Sequence, residues 1–436
     1  MSTFYWLPTD YNVKSYNKHA ALDLIRFSKE GLSRTDLAEK MGLTRAAVSL
    51  IINDLLESGV IREAKARSAP SGRPPVNLEI APESGLVGAV DMGATHIGIA
   101  LADFTANILK ENEFPFDINN GPEVCLAEAD QHLQAILESQ GSSLSDLSAV
   151  GVGVPGPVIT EAGMVLAPPI MPGWDRYPIR TTLEKKWGCP VTLNNDAELG
   201  ALGEWAYGAG RGAKNLAYIK VGSGIGAGLI LNQQIYEGTT GAAGEIGHLT
   251  IEENGPLCNC GNHGCLEAFA GGYAIANQAK KLVESGAKTL LSELPLERIT
   301  ALDVADAAQR GDLHAQEILR RSGTYIGIAL AGLVNLFNPG IIIVGGGVTQ
   351  AGEMFTDPIR QAVRDRAMRA SGQYVQIITA TLGRRALLIG ALVQAINIAI
   401  HNAVDQKSQH TRNSASNLDR QPDPISSETE VIESKK

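Results

Sequence analysis

The alternation of apolar and polar positions in residues 17–80 predicts three short helices followed by two strands. In the third helix the apolar positions recur with the 3.6-residue period of one buried face, at Val48, Ile51, Ile52, Leu55 and Leu56. Ser33 and Thr44 precede the second and third helices as capping residues, and Gly42 separates these helices. Two helices joined by so short a turn are typical of a helix-turn-helix.

The third helix would enter the major groove of DNA with its first turns. The candidate contact residues there are Thr44, Arg45, Ala46 and Ser49. Alternating apolar residues at 60–61 and 76–80 predict a two-stranded wing, and the extended segment before Pro74 holds Arg73, which suits a narrow minor groove. The alternative is a three-helix packing module with a charged hairpin and no role in DNA binding.

Short apolar strands, helices and glycine-rich turns in residues 82–403 predict an α/β domain. A strand at 86–90 ends in a turn that contains Asp91, Gly93 and Thr95, and a strand at 216–221 ends in a similar turn with Gly222, Ser223 and Gly224. Backbone N–H groups and a hydroxyl at such turns suit a phosphate, with Asp91 holding Mg²⁺ or its water. The repeated turn predicts two similar lobes that face each other across a cleft. Two unrelated hairpins are the alternative.

Charge is unevenly distributed along the chain. Residues 1–80 hold eleven Lys and Arg against nine Asp and Glu, whereas the whole chain has a net charge of −10. A basic head on an acidic body is expected if only the head meets nucleic acid. The first residues lack the pattern of a signal peptide and no apolar run reaches the length of a membrane span, so we expect a cytoplasmic protein without a membrane partner. Residues 404–436 are polar and lack aromatic residues, which predicts a disordered tail.

Three of the five cysteines, Cys258, Cys260 and Cys265, lie within eight positions, and His248 precedes them by ten residues. Thiolates and imidazole are the usual ligands of zinc, and structural zinc sites take four. We therefore predict a Cys3His zinc site, for which His263 is the weaker alternative as fourth ligand. The other interpretation is three buried thiols beside an unrelated histidine.

Carboxylates flank this segment on both sides. Glu245 lies three residues before His248, and Glu267 lies two residues after Cys265. A metal-pinned loop would hold both carboxylates in place as acceptors for the hydroxyl groups of a sugar. A further carboxylate, Asp196, follows a strand at 191–193, where it can accept a proton from a hydroxyl in a cleft.

The motif E-I-G-H at 245–248, followed by C-x-C-G-x-x-G-C-L-E at 258–267, resembles the signature of the ROK family of sugar kinases and sugar-responsive repressors. The resemblance implies an α/β, actin-like (sugar kinase/Hsp70-like) domain of two lobes in which zinc shapes a sugar pocket. It implies sugar contacts by Glu245, His248 and Glu267, with the histidine able to serve both metal and sugar. The predicted winged helix resembles the one at the start of ROK repressors, which the free-standing kinases of the family lack.

Two family motifs are altered here. The N-D-A-N motif of the kinases supplies a catalytic base and a sugar contact; Asp196 keeps the base and Asn195 the contact, but Glu198 replaces the final Asn. In the DxGGT turn, Ala94 replaces the second glycine. Both departures weaken the kinase hypothesis. The run that contains Gly345 and Gly346 lies against an adenosine in the family, but it can equally serve close packing of a strand and a helix.

The sequence supports three hypotheses. The first is a sugar-responsive regulator with a winged helix-turn-helix at 1–81, a sugar-binding domain at 82–403 with a zinc loop at 245–267, and a tail at 404–436. It would bind operator DNA and a small sugar or sugar-phosphate effector as a homodimer or homotetramer, with structural Zn²⁺. The second is a sugar kinase with an added DNA-binding head, which uses ATP, Mg²⁺ and Asp196 as base. The third is a protein-binding module with a vestigial cleft.

Overall fold

The computed structural model describes residues 13–28, 31–64 and 76–418. Its amino-terminal unit contains three helices and a three-stranded sheet of order β1-β3-β2. The bounds are α1 Val13–Phe27, β1 Leu32–Ser33, α2 Arg34–Met41, α3 Arg45–Ser58, β2 Ile61–Glu63 and β3 Asn77–Ile80.

The capping residues explain where the helices of this unit start and stop. The Ser33 hydroxyl and the Asp36 carboxylate form a capping box at the start of α2, which ends at Gly42 in the left-handed conformation. The Thr44 hydroxyl accepts the Ala47 N–H at the start of α3. The predicted helix-turn-helix is thus formed. The wing residues Lys65, Arg67 and Arg73 lie outside the described residues.

The remainder of the chain forms two five-stranded sheets with the same topology. In each sheet the first strand along the chain, β4 or β11, is central, with two antiparallel strands on one side and two parallel strands on the other. The first sheet has the order β10-β7-β4-β5-β6 and the second has the order β13-β12-β11-β14-β15. This repeat confirms the two actin-like lobes that the paired glycine turns predicted.

The first lobe contains β4 Leu86–Met92, β5 His96–Asp103, β6 Ile108–Pro115, α4 Pro122–Ser139, β7 Leu147–Val154, β8 Val158–Ile159, β9 Met164–Val165, α5 Ile179–Trp187, β10 Val191–Asn195 and α6 Asp196–Tyr207. The second lobe contains β11 Leu216–Val221, β12 Ile225–Leu231, β13 Gln234–Ile235, α7 Leu266–Ala270, α8 Gly272–Glu284, α9 Ala301–Gln309, α10 Leu313–Phe337, β14 Ile341–Gly345, α11 Glu353–Arg366, α12 Arg369–Gly372 and β15 Gln376–Thr379. The last helix, α13, spans Ala386–Leu418.

Helices α6 and α13 pack face to face, and glycines allow this contact. A Cβ atom on Gly390 of α13 would lie 1.9 Å from the Leu199 carbonyl oxygen of α6, and one on Gly203 of α6 would lie 2.1 Å from the Ala386 carbonyl oxygen of α13. Backbone atoms cannot yield as side chains can, so a larger residue at either position would separate the two helices.

Helix α13 differs from the sequence-based expectation in two ways. It continues to Leu418, so the predicted boundary between the domain and the tail, at 403/404, falls inside this helix. The Asp405 carboxylate lies 3.6 Å from the Nε2 of His19 on α1. The composition of the segment could not predict this contact, because it depends on the fold. The segment Gly383–Asp405, which overlaps α13 from Ala386 onwards, is also long and apolar enough to cross a membrane, contrary to expectation. However, 72% of its most apolar window is buried inside the protein, as in a core helix.

The amino-terminal unit rests on α13 and α6. The guanidinium of Arg26 donates a hydrogen bond of 3.0 Å to the Val393 carbonyl oxygen, and the ring of Phe27 packs edge-on against Trp205 at 5.0 Å between centroids. Apolar residues of α1, α3 and α13 share one hydrophobic cluster. The amino-terminal unit is therefore attached to the two helices that connect the lobes.

Candidate functional site

A cavity of about 520 Å³ lies between the two sheets and is lined by both glycine turns. Its walls hold carboxylates from both lobes: Asp91, Glu113 and Asp196 from the first, and Glu245, Glu267 and Glu297 from the second. The sequence-predicted residues Thr95, Asn195, Gly222, Ser223, Gly224, His248 and Gly346 also line it. The cavity therefore brings together residues that are up to 296 positions apart, from Asp91 to Leu387.

Four potential metal ligands converge at one edge of this cavity. The ligand atoms of His248, Cys258, Cys260 and Cys265 all lie within 4.8 Å of one another. The Cys258 Sγ lies 3.6 Å from the His248 Nδ1, and the Cys260 Sγ lies 3.7 Å from the Cys265 Sγ. Zinc–sulfur bonds of about 2.3 Å in a tetrahedron place two sulfurs about 3.8 Å apart, so the donor set fits zinc. His263 instead contacts the Gly255 carbonyl oxygen at 3.2 Å.

Turns of the backbone bring the cysteines together. The Cys258 N–H donates to the Asn262 carbonyl and the Gly261 N–H donates to the Cys258 carbonyl, which closes a tight loop around Cys260. Gly264 has a φ of +72°, and a Cβ atom there would lie 1.6 Å from the Glu252 carbonyl oxygen. The glycines between the cysteines are therefore required by the geometry of the loop.

His248 faces the metal ligands with one ring nitrogen and the cavity with the other. It lies on the 3-10 turn Ile246–His248, and its Nε2 is 3.8 Å from the Glu245 carboxylate. Burial, with the charges of Asp196 and Glu267, raises the pKa of Glu245 to about 7. Near neutral pH such a carboxyl group can accept a hydrogen bond from a hydroxyl when it is ionised, and can donate one to a hydroxyl when it is protonated.

Glu267 connects the cysteine loop to the second glycine turn. Its Oε2 accepts the backbone N–H of Ile225 at 2.9 Å. A Cβ atom on Gly224 would lie 2.1 Å from the same oxygen, so the turn needs glycine there. The other carboxylate oxygen of Glu267 is left for a ligand in the cavity.

Asn195 and Glu198 both help to start helix α6. The Asn195 side chain accepts the Ala197 N–H and donates to the Gly156 carbonyl oxygen, each at 2.8 Å. The Glu198 carboxyl accepts the Asn195 N–H and so completes a capping box. Burial, with the charge of Glu237, raises the pKa of Glu198 to about 8. The residue that departs from the family motif is therefore a structural part of the helix start, and it holds Asp196 in place.

Two residues that sequence reasoning missed also face the cleft. Lys220 of β11 forms an ion pair with Asp196, and the Nε2 of His96 donates to the Asp91 carboxylate at 3.3 Å. The signal for Lys220 was a charged residue near the end of an otherwise apolar strand, Leu216–Val221. His96 directly follows the first glycine turn, and no sequence motif indicated a role for it in the cleft.

The second glycine turn and the run at 345–347 are shaped by close packing. The Gly272 and Tyr273 N–H groups, at the start of α8, donate to the carbonyls of Gly222 and Ser223. Gly346 has a φ of +100°, and a Cβ atom there would lie 2.0 Å from the Val221 carbonyl oxygen. Gly345 lies against the Tyr218 hydroxyl in the same way. Packing alone therefore requires these glycines, although Gly346 and Gly347 also line the cavity.

The predicted recognition helix is presented at the surface. Thr44, Arg45 and Ala46 are exposed and Ser49 is half-buried, whereas the opposite face of α3 is buried in the amino-terminal unit. Arg45 occupies the first position of α3, from which a long side chain can reach a base edge or a phosphate. The recognition-helix part of the expected DNA interface thus lies among the residues that the structure describes, whereas Arg73 of the wing does not.

Comparison with known proteins gives consistent results for both parts of the chain. Residues 87–398 match the ROK family, and residues 27–62 match a winged helix-turn-helix DNA-binding domain. The xylose repressor of Caldicellulosiruptor bescii is 31% identical over 386 residues, which cover 88% of this chain and 96% of that protein.

Two solved structures of the same family are also similar to this chain. A crystal structure of a ROK family transcriptional regulator, a homolog of the Escherichia coli MLC protein, is similar with a TM-score of 0.76 and 27% identity over 90% of this chain and 99% of that one. A ROK family glucokinase from Streptomyces griseus, in complex with glucose and AMPPNP, has a TM-score of 0.63 and 32% identity over 71% of this chain and 99% of that one. The transcriptional regulators thus match more of this chain than the kinase does.

Proposed function

The chain belongs to the ROK family, and on this basis we propose that it is a sugar-responsive transcriptional repressor whose effector binds in the cleft between the lobes. The observation that carries the proposal is the presence, in one chain, of an exposed recognition helix and a cleft lined by hydrogen-bond acceptors. Relatives named xylose repressor match both parts. A cytoplasmic location follows from a function on DNA.

The cleft suits a neutral sugar. Asp196 approaches from the first lobe, and Glu245 and Glu267 approach from the second. Carboxylate oxygens are acceptors only, so they match the hydroxyl donors of a pentose or hexose. Asn195, half-buried at the rim, and His248 add groups that can both donate and accept. The excess of acidic groups disfavours an anionic sugar phosphate, because like charges repel in a partly buried site.

The cysteine loop would hold structural zinc through His248, Cys258, Cys260 and Cys265. A bound zinc ion would supply rigidity to the loop and fix the orientation of the His248 ring. Two contacts of the loop would then fix the positions of carboxylates in the cleft. Glu267 follows Cys265 by two residues and is hydrogen-bonded to Ile225, and Glu245 lies within reach of the other nitrogen of His248. Two of the three acceptors for the sugar thus depend on the loop.

A physical connection leads from the cleft to the DNA-binding unit. Asp196 is the first residue of α6, and Leu387, near the start of α13, lines the cavity. At their glycines, α6 and α13 are in direct backbone contact. The amino-terminal unit contacts the same two helices through Arg26 and Phe27. A sugar that binds one lobe arrangement better than another would shift its population and move the winged helices of a homodimer or homotetramer.

The kinase alternative has less support. Asp196 stands at the position of the catalytic base, but it is ion-paired with Lys220. The Lys220 ammonium group therefore occupies the side of the carboxylate that a substrate hydroxyl would have to reach. The repressor relatives also match the amino-terminal unit, which the glucokinase structure does not cover.

Two measurements on zinc-loaded full-length protein test the proposal. Selection of bound sequences from random double-stranded DNA should enrich one motif, and Arg45→Ala should abolish the enrichment. A thermal-shift screen of neutral pentoses and hexoses without nucleotide should find at least one that raises Tm and weakens binding to the enriched DNA. No enrichment would contradict the DNA-binding role, and no shift with any sugar would contradict the receptor role.

A further inference from the structure

We propose that the ammonium group of Lys220 occupies the place of the divalent cation that phosphoryl transfer requires, so that the cleft binds its sugar without a metal–nucleotide complex. This inference deepens the proposed function, since it concerns the same cleft. Phosphoryl-transfer sites neutralise the phosphates with Mg²⁺ that is held by carboxylates. Such a site requires carboxylates that are free to bind the ion.

Lys220 lies between the two glycine turns. It is two residues before Gly222, and its side-chain methylene passes 3.4 Å from where a Cβ atom of that glycine would be. Its ammonium group forms an ion pair with Asp196 across the cleft, where both side chains are mostly buried. The carboxylates are from the first lobe, and the lysine is from the second. The ion pair therefore connects the lobes, and its ammonium group is near enough to Asp91, the carboxylate expected to hold Mg²⁺, to interact with that charge.

The ammonium group is charged in this position. Burial lowers the pKa of Lys220, but the carboxylates of Asp196 and Asp91 more than offset this effect and leave the pKa above its ordinary value. A divalent cation at the same carboxylates would be repelled by this fixed positive charge. Lys220 thus places a fixed positive charge beside Asp91 and in a direct ion pair with Asp196.

His96 covers the other glycine turn. A Cβ atom on Gly93 would lie 2.3 Å from the His96 ring, so the ring fills the space that a phosphate would need beside this turn. One oxygen of Asp91 is bonded to His96, and the other is buried without a hydrogen bond. The methyl group of Ala94 lines the same part of the cavity. The phosphate end of the cleft therefore does not fit a metal–nucleotide complex.

Binding of Mn²⁺ tests this inference directly. Zinc-loaded full-length protein is titrated with Mn²⁺ in the presence of AMPPNP, and free Mn²⁺ is measured by electron paramagnetic resonance. We expect no stoichiometric Mn²⁺ binding to the wild type or to Lys220→Arg, which keeps the charge. Lys220→Ser should bind one Mn²⁺ per chain at least tenfold more tightly, and the additional change Asp196→Asn should remove this gain. Lys186→Ser removes an ion pair between the exposed Lys186 and the buried Asp130, outside the cleft, and should behave as wild type.

Two results would overturn the inference: one tightly bound Mn²⁺ per chain in the wild type, or no gain in Lys220→Ser. If Lys220→Ser does not fold without metal, Mn²⁺ should restore its folding transition while leaving the Tm of the wild type unchanged. If it does not fold in either condition, the titrations of the wild type and Lys220→Arg still decide. DNA binding by the same preparations is measured separately, so a failed operator assay would contradict the proposed function and leave the Mn²⁺ result intact.

Discussion

The Glu267 carboxylate accepts the backbone N–H of Ile225 at 2.9 Å, and this hydrogen bond ties the cysteine loop to the second glycine turn. Without an ordered loop the carboxylate would lose its position, because Glu267 follows Cys265 by only two positions. If the loop holds zinc as proposed, metal ligation at one edge of the cleft is coupled to the position of a carboxylate in the cleft wall.

Cys260→Ser should therefore lower both zinc content and sugar affinity. Loss of one well-placed hydrogen bond to a charged group corresponds to about 1.5–3 kcal/mol, or roughly a tenfold to hundredfold weaker sugar affinity. Zinc is measured by elemental analysis, and the affinity by calorimetry with the sugar found in the thermal-shift screen. Cys125→Ser changes a buried thiol outside the loop and should retain zinc. Full sugar affinity in zinc-free Cys260→Ser would contradict the coupling.

Arg45→Ala should weaken operator binding by about 1–3 kcal/mol, since a contact from the first turn of α3 to DNA is lost. The sugar-induced rise in Tm should not change, because Arg45 is remote from the cleft in sequence and lies on the exposed face of α3. Fluorescence anisotropy with the selected DNA measures the affinity. Arg320→Ala, which removes an exposed pair with Glu317 on α10, should leave DNA affinity as in the wild type. Unchanged affinity in Arg45→Ala would refute the assignment of α3.

Glu198→Gln should change how stability depends on pH. The pKa of Glu198 in the folded protein is about 8, above its ordinary value of 4.5. The folded state therefore favours the neutral form, and stability from this group is complete below pH 4.5 and lost as the pH rises towards 8. Glutamine can complete the same capping box without titrating.

The variant should lose less unfolding free energy than the wild type between pH 6.5 and 8, by about 1.4 kcal/mol per pH unit. Urea unfolding at the two pH values measures the difference. Glu138→Gln, on the exposed end of α4, should follow the wild type. Parallel pH profiles for Glu198→Gln and the wild type would show that Glu198 is ionised throughout.

His401 of α13 should make the docking of the amino-terminal unit sensitive to acid. Its ring lies 4.0 Å from that of His19 on α1, and burial, with the charges of His19 and Arg26, lowers its pKa from 6.5 to about 3. Stability from this group is complete above pH 6.5 and is lost as the pH falls from 6.5 towards 3.

His401→Phe should reduce the loss of unfolding free energy between pH 6.5 and 5.5 by about 1.4 kcal/mol. Urea unfolding followed by tryptophan fluorescence is suitable, since Trp205 contacts Phe27 at the same interface. The exposed His314→Phe provides the control. A wild-type profile that is flat across this range would show that both histidines take up protons in the folded protein as readily as in the unfolded chain.

Local signals in the sequence were sufficient for the elements and for the cluster of four residues that could bind a metal. Ser33, Gly42 and Thr44 set the helix boundaries of the amino-terminal unit because caps act within one turn. The spacing of Cys258, Cys260 and Cys265 was informative because a tight loop brings nearby residues together. The repeated glycine turn predicted the two lobes for a similar reason, since each turn joins adjacent antiparallel strands.

Contacts between distant parts of the chain could not be predicted in this way. The role of Lys220 depends on Asp196 and Asp91, which reach it only after the two lobes face each other. The continuation of α13 beyond residue 403 is accompanied by its contact with α1, which lies more than 370 positions earlier. Glu198 was ambiguous for a third reason: a glutamate three residues after a cap can serve the helix or the ligand, and only its hydrogen bonds distinguish the two.

Helix α13 begins beside the cleft at Leu387 and reaches α1 at Asp405. At 1.5 Å per residue this stretch is a lever about 27 Å long. A tilt of about 5° at the sugar end would displace the far end by about 2 Å, comparable to the helix shifts by which allosteric proteins switch. If the effector binds in this cleft as proposed, a small tilt of α13 there would move its other end, against α1, farther than the end beside the cleft.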